Sequence, residues 1–365
     1  MRQLFSEAVR AMAFGALAAG AFLVSSAVVG QRAYSDDMPV LDFGDNYVDH
    51  PEAERLWQGW TDPFDRFWNT SPGPCYWSID YRFRGLCESM TAYEFGTGPG
   101  ESPVYSPISR LKFPLNSCWH GLKVGVDRPT WASHFEWMMP QQGIQGDLKD
   151  YDWRLASQKA FTDLGYADER WTEGQMIDLD LEFLIWDRPF NWPLQLWPIG
   201  GFRWQRFDIM TYDLTQVKFN NVWLDPPYRE SGNIISFNQQ YYTAYIGGQI
   251  RTKFDESSVL APITVTLQGD WGHVEAYNID HHLVREGDRF TMDRTAGDAW
   301  HTALIVEAML NLRLSVGFQA DYTEIFTTGT HRYVNQPLDV DESWTNGVRV
   351  TSHQTWMTAF VRLRI

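Results

Sequence analysis

The chain has 365 residues, enough for one large domain or two ordinary ones, and a formal net charge of −16, which argues against nucleic acid as a partner. Aromatic content is 15% with 18 Trp, mean hydropathy is −0.36, and no helix-length apolar run follows the N-terminal region, so a helical membrane protein is excluded. A membrane β-barrel is not excluded, because lipid-facing and lumen-facing side chains alternate and cancel in any hydropathy window, while aromatic girdles mark its two interfaces.

In chain order, Arg2 and Arg10 bracket a positive start, residues 11–29 are almost wholly apolar, and the small residues Ala33 and Ser35 precede acidic Asp36 and Asp37. That pattern predicts a secretory signal over residues 1–35, and with it export. Residues 36–89 read as an N-terminal periplasmic extension or plug: Leu56, Trp57 and Trp60 suit a short amphipathic helix, and a Pro- and Gly-rich breaker over 69–74 precedes an alternating run at 77–83. Three cysteines occur, Cys75, Cys87 and Cys118, with no Cys-x-x-Cys pair. In an oxidising compartment a short Cys75–Cys87 loop is expected, leaving Cys118 free.

Residues 90–365 repeat one pattern of long alternating segments, with short turns near Asp127, Arg188, Asp255 and Asn311 and longer polar connections between them. At 176–186, Ile177, Leu179 and Leu181 alternate strictly with Asp178, Asp180 and Glu182, which gives one wet face and one apolar face. Segments of this length exceed the roughly 5–6 residues of ordinary soluble strands and match the roughly 9–11 needed to cross a bilayer. The expected fold is all-β: a transmembrane antiparallel barrel of about ten strands. Long polar loops are expected between about residues 212 and 238, from about 278 to 299, and from about 327 to 347.

The chemistry concentrates in Asp280-His281-His282 at the end of one such segment. Period-two geometry puts Asp280 and His282 on one face and His281 on the other. A carboxylate beside an imidazole fixes its tautomer and supports it as a general base. Asp150 and Asp152 repeat the spacing far upstream, and two such pairs facing one cavity would surround a single water. Solvated loop residues are the plain alternative, since Asp and His are common there. A divalent metal site drawn from His273, Glu275, Asp280, His281 and His282 is another reading, although its spacing matches no familiar zinc motif. The Trp-rich run 192–204 reads as girdle and packing, and the acidic run 339–342 as a solvated loop.

Two motifs resemble the omptin family of outer-membrane proteases: Gly146-Asp147-Leu148-Lys149-Asp150-Tyr151-Asp152-Trp153, and Asp280-His281-His282 with His281 where the family carries glutamate. The strand leading into the second motif, residues 269–277, is similar as well, and the likeness spans roughly residues 90–365 in the family's order. The resemblance implies a ten-stranded barrel whose extracellular mouth holds a peptidase site. His282 would then be the base and Asp280 its orienting carboxylate, with Asp150 and Asp152 holding water and scissile carbonyl. It also implies no cofactor, lipopolysaccharide as an activator, outer-membrane lipid as surroundings, and peptide or protein substrates of cationic character. Two departures stand out. Asn278 occupies the position where the family carries an acidic specificity residue, and Glu101 is near but out of register for the second specificity acid. A porin-like or otherwise non-catalytic barrel, selecting cations through an acidic lumen, is the alternative from a different class. An inert surface adhesin is a third.

Overall fold

Side chains that alternate between polar and apolar leave a strand with one face for water and one for lipid, and a row of such strands is free of exposed backbone only when it closes on itself. The structure, a computed structural model, describes residues 76–96, 107–141, 143–144, 146–154, 160–252, 254, 258–260, 262–284 and 289–365, all within one compact unit, Thr61–Ile365. In chain order the strands are β1 (Tyr76–Phe95), β2 in two stretches (Ser109–Pro114 and Ser117–Asp127), β3 in two stretches (Trp131–Pro140 and Asp147–Asp152) and β4 (Asp163–Phe183). They continue with β5 (Leu194–Phe219), β6 (Val222–Thr252), β7 (Ile263–His282), β8 (Arg289–Met309), β9 (Leu314–Asn335) and β10 (Val340–Arg364). Each pairs antiparallel with its sequence neighbours. β1 pairs with β10 from Ser78↔Arg364 to Phe95↔Val348, which closes a ring of ten strands.

The expected architecture is therefore the observed one, with three changes of boundary. The extension expected over 36–89 ends earlier: β1 begins at Tyr76 and pairs on both sides, so residues 76–89 are barrel wall. The reason is a bulge between Cys87 and Met90, with Glu88 at φ 50. Before it the buried, inward residues are even-numbered (Ser78, Asp80, Arg82); after it they are odd (Thr91, Tyr93, Phe95). The alternation breaks at the boundary expected near residue 89. Second, the loop expected at about 212–238 is a hairpin, in which β5 and β6 pair up to Phe219↔Val222. Its turn residues Asn220 and Asn221 take φ 50 and 67, the left-handed conformations that two-residue hairpin turns require. Third, β8, β9 and β10 run further toward the mouth than the alternation indicated, to Arg289, Asn335 and Val340. The signal segment 1–35 and residues 36–75 lie outside the described residues.

The Cys75–Cys87 bridge does not fit this wall. Cys75 lies outside the described residues, but Tyr76 to Cys87 is continuous strand, about 36 Å at about 3.3 Å per residue. A bridge needs Cα atoms within about 7 Å. Cys87 and Cys118 are both free thiols.

Short connections at Asp127–Trp131, Phe183–Leu194 and Met309–Leu314 gather at one end, together with the start of β1 and the end of β10. The outward face carries its apolar band in that half: Leu267, Leu304 and Val306 are exposed there, and the cross-strand pair Trp271 and Trp300 stands at its upper margin. Beyond them the outward positions turn polar, with His273, Glu275, Arg294 and Asp298. This is the pattern of a lipid band edged by an aromatic girdle, with the upper barrel in water.

Inside, the lumen is divided. The half near the short turns holds a polar cavity of about 450 Å³, whose lining includes Lys123, His134, Asp180, Glu182, Arg203 and Arg362. Above it, buried side chains from opposite walls meet. Trp119 of β2 packs against Trp171 of β4, Phe207 of β5 and Trp356 of β10, with ring centroids at 5.6, 6.0 and 6.2 Å. Thr91 of β1 reaches Tyr241 of β6 at 2.9 Å. This apolar waist fills the middle of the barrel.

Candidate active site

The mouth lies above the waist, and β7 carries its best-defined pair. Asp280 and His282 occupy successive inward positions, both buried, with His282 Nε2 3.4 Å from Asp280 Oδ2. That is longer than an optimal hydrogen bond, as catalytic contacts often are before substrate binds. Asp280 Oδ1 is buried without a hydrogen-bond partner, so its remaining acceptor capacity is open to a ligand. His281 faces the other way, stacked on its cross-strand neighbour Phe290 with centroids 4.1 Å apart, as period-two geometry requires.

Asp150 and Asp152 sit on the upper stretch of β3, half-buried, paired in register with Leu111 and Ser109 of β2. Two residues below Leu111 on β2 is Phe113, which stacks across the lumen on Phe237 of β6 with centroids 4.2 Å apart and rings 12° from parallel. Phe237 is the cross-strand partner of Asp280. The two acidic pairs thus belong to opposite walls, and the walls touch through one Phe–Phe stack just beneath them. Tyr93 of β1 closes the stack from the side, 5.0 Å from Phe237 and 6.0 Å from Phe113.

One inward step below Asp280 is Asn278, the hub of a hydrogen-bonded chain across four strands. Tyr93 Oη donates to Asn278 Oδ1 (2.9 Å), and Asn278 Nδ2 donates to Asp293 Oδ2 (2.6 Å) on β8. His331 Nδ1 of β9 pairs with Asp293 Oδ1 at 2.6 Å. Burial pushes the Asp293 carboxyl above its ordinary range, against the opposing effect of His331 and Asn278. His331 is held between Phe95 (4.7 Å) and Trp344 (5.6 Å). Tyr93, Asp293 and His331 escaped the sequence reading because they share no motif. The upper parts of β8 and β9 fall where loops are expected from the sequence, which hides the inward alternation Thr291, Asp293, Thr295.

The alternative metal set does not assemble. His273, Glu275 and His281 fall on the outward face of β7, and Asp280 and His282 on the inward face. Among the described residues, ligand atoms converge at His134, Asp180 and Glu182, within 4.8 Å of one another at the opposite end of the lumen. There each is already engaged by protein groups: His134 by Asp127 and Asp180, Asp180 by Lys123, and Glu182 by Arg251 and Gln249. A charge-compensated network of this kind explains the cluster without an ion. Glu101 lies outside the described residues.

With this geometry in hand, comparison with known proteins is informative. The sequence profile of the Omptin family matches residues 128–337. The fold superposes on the outer membrane protease OmpT from Escherichia coli with a TM-score of 0.68 and 14% sequence identity, covering 81% of this chain and 99% of that one. The outer membrane protein OprG from Pseudomonas aeruginosa gives a TM-score of only 0.31 at 10% identity, over 78% of this chain and 95% of that one. No curated protein matches the sequence.

Proposed function

The chain belongs to the omptin family and is a β-barrel of the bacterial outer membrane, and from that premise we propose that it is an endopeptidase working at the extracellular mouth through an Asp280–His282 dyad and a second pair, Asp150 and Asp152. The observation that carries this reading is a 3.4 Å carboxylate–imidazole contact in a mouth whose two walls, each bearing one acidic pair, meet at the Phe113–Phe237 stack.

In the proposed reaction Asp280 holds the His282 Nε2–H, leaving Nδ1 as the base. A water held by Asp150 and Asp152 gives its proton to Nδ1 as its oxygen attacks the scissile carbonyl carbon. The tetrahedral intermediate collapses by breaking the C–N bond, and His282 returns the proton to the leaving amine. The products are a carboxylate and an amine, and no covalent enzyme intermediate forms. Substrates on this reading are peptides or exposed protein segments of cationic character, suited to an acidic mouth. Lipopolysaccharide is proposed as the activating partner in the surrounding leaflet. The channel alternative is disfavoured by the filled waist, where Trp119, Phe113, Tyr93 and Tyr241 are all fully buried.

The test is cleavage of an unstructured cationic peptide by refolded protein with lipopolysaccharide added. His282→Ala is expected to lower the rate by about 10²–10⁴, whereas His281→Ala, on the outward face, leaves it within about twofold. Equal losses from both substitutions, or conductance in planar bilayers from a wild type that cleaves nothing, would remove the proposal.

A further inference from the structure

Buried carboxylates in this barrel are paired. Asp80 meets Arg362, Glu136 meets Arg82 and Arg84, Asp180 meets Lys123, Glu182 meets Arg251, and Asp293 meets His331. The other buried acids follow the same rule with arginine or histidine. This is what desolvation demands, since an isolated buried charge is costly. Glu169 breaks the rule. It is 5% exposed, both of its carboxylate oxygens are buried without a hydrogen-bond partner, and among the described residues no cation faces it.

Its position gives the exception meaning. Glu169 is on the inward side of β4, in register with Thr211 of β5, which pairs with Ile235 of β6, which pairs with His282 of β7. It therefore stands level with the proposed base, three strands round the wall, or about 14 Å at about 4.8 Å per strand. An extended peptide covers about that distance with two residues and the length of one arginine or lysine side chain. Burial first, and then the neighbouring Asp147 carboxylate, hold the Glu169 carboxyl well above its ordinary range. An arriving cation would relieve both effects. The floor directly beneath the dyad offers no such charge, because Asp293 is already engaged at both oxygens by Asn278 and His331.

We propose that Glu169 is the specificity residue of the mouth, receiving a guanidinium or ammonium side chain of the peptide about two residues from the scissile bond. The inference rests on reading the mouth as a peptide site, and it places recognition of positive charge on β4.

The test compares two peptide amides, Ala-Ala-Arg-Ala-Ala-Ala and the same sequence with neutral citrulline replacing arginine. Their binding to the full chain in detergent micelles is measured by calorimetry, and their cleavage is followed in parallel. Wild type is expected to prefer the arginine peptide by at least about tenfold, and Glu169→Gln to bring the two within about twofold. Glu169→Asp keeps part of the preference. Because the glutamine removes an unpaired buried acid, the variant is expected to unfold no more easily than wild type, whereas a structural carboxylate would lose stability. Equal affinities for the two peptides in wild type, or an undiminished preference in Glu169→Gln, overturns the inference. A Glu169-dependent arginine preference without cleavage supports this site and removes the peptidase reading. Cleavage without such a preference does the reverse.

Discussion

The contact between Phe113 and Phe237 is where the two halves of the candidate site touch, so shortening either ring tests the architecture and the chemistry together. Both rings are buried, at 0% and 2% exposure, in the water-surrounded upper barrel. Removing a phenyl group takes away about 150 Å² of buried apolar surface, worth about 4 kcal/mol at about 25 cal/mol/Å². That agrees with the roughly 3–5 kcal/mol typical of Phe→Ala in a packed core. The stacked geometry at 4.2 Å adds a pairwise share of about 0.5–1.5 kcal/mol. In a double-mutant cycle, the Phe113→Ala, Phe237→Ala double variant should therefore be less destabilised than the sum of the singles by about that amount. Urea unfolding followed by tryptophan fluorescence in detergent measures it. Peptide cleavage should fall more than about tenfold in either single variant, because a catalytic group displaced by about 1 Å can cost about 10² in rate. Phe135→Ala, at a half-exposed outward position on β3, is the control. Single-variant losses below about 1 kcal/mol, or strict additivity, would refute the idea that this stack holds the opposed walls together.

Two further expectations concern the rim and the cysteines. Asp163 takes hydrogen bonds from Arg154 at 3.2 Å and from the backbone N–H of Asn220 in the β5–β6 turn at 3.0 Å. Burial alone would raise its carboxyl, but the Arg154, Thr162 and Asn220 hydrogen bonds win and hold it below the ordinary range. Because the folded value is depressed, this anchor is fully present above the ordinary carboxylate range of about pH 4 and is lost as pH falls through the lower value. Amide exchange at Asn220 and Asn221, corrected for intrinsic rates, should lose protection on that acidification, and Asp163→Asn should remove most of the pH dependence. A pH-independent turn would contradict the assignment. For the cysteines, alkylation and peptide mapping of unreduced protein should find Cys87 and Cys118 as thiols; a recovered Cys75–Cys87 link would mean that β1 does not start at Tyr76.

The barrel was legible because its signal is redundant. Alternation such as Ile177, Leu179 and Leu181 against Asp178, Asp180 and Glu182 needs no tertiary information, and its repetition leaves few folds that satisfy every strand. What escaped was local. A single residue at positive φ, Glu88, exchanges the inward and outward sets and hides the first strand's lower part, residues 76–89. The irregular pairing around Tyr212–Gln216 similarly disguised a long hairpin as a loop. At the site, Asp150, Asp152, Asp280 and His282 were visible because they sit in two short motifs. Tyr93, Asp293, His331 and Glu169 belong to different strands and come together only through register and closure. Nothing in the local sequence separates Glu169 from Asp168 beside it, yet one faces the lumen and the other faces water.

The filled waist has one more consequence, for the environments the protein samples. The mouth that carries Asp280 and His282 and the polar cavity of the lower lumen lie on opposite sides of it. His134 and His301, each held between two carboxylates in the lower lumen, lie beyond the packed waist from that mouth. The barrel is in this sense an insulator: on the proposed reading it carries a reactive centre at its mouth above a packed, apolar middle.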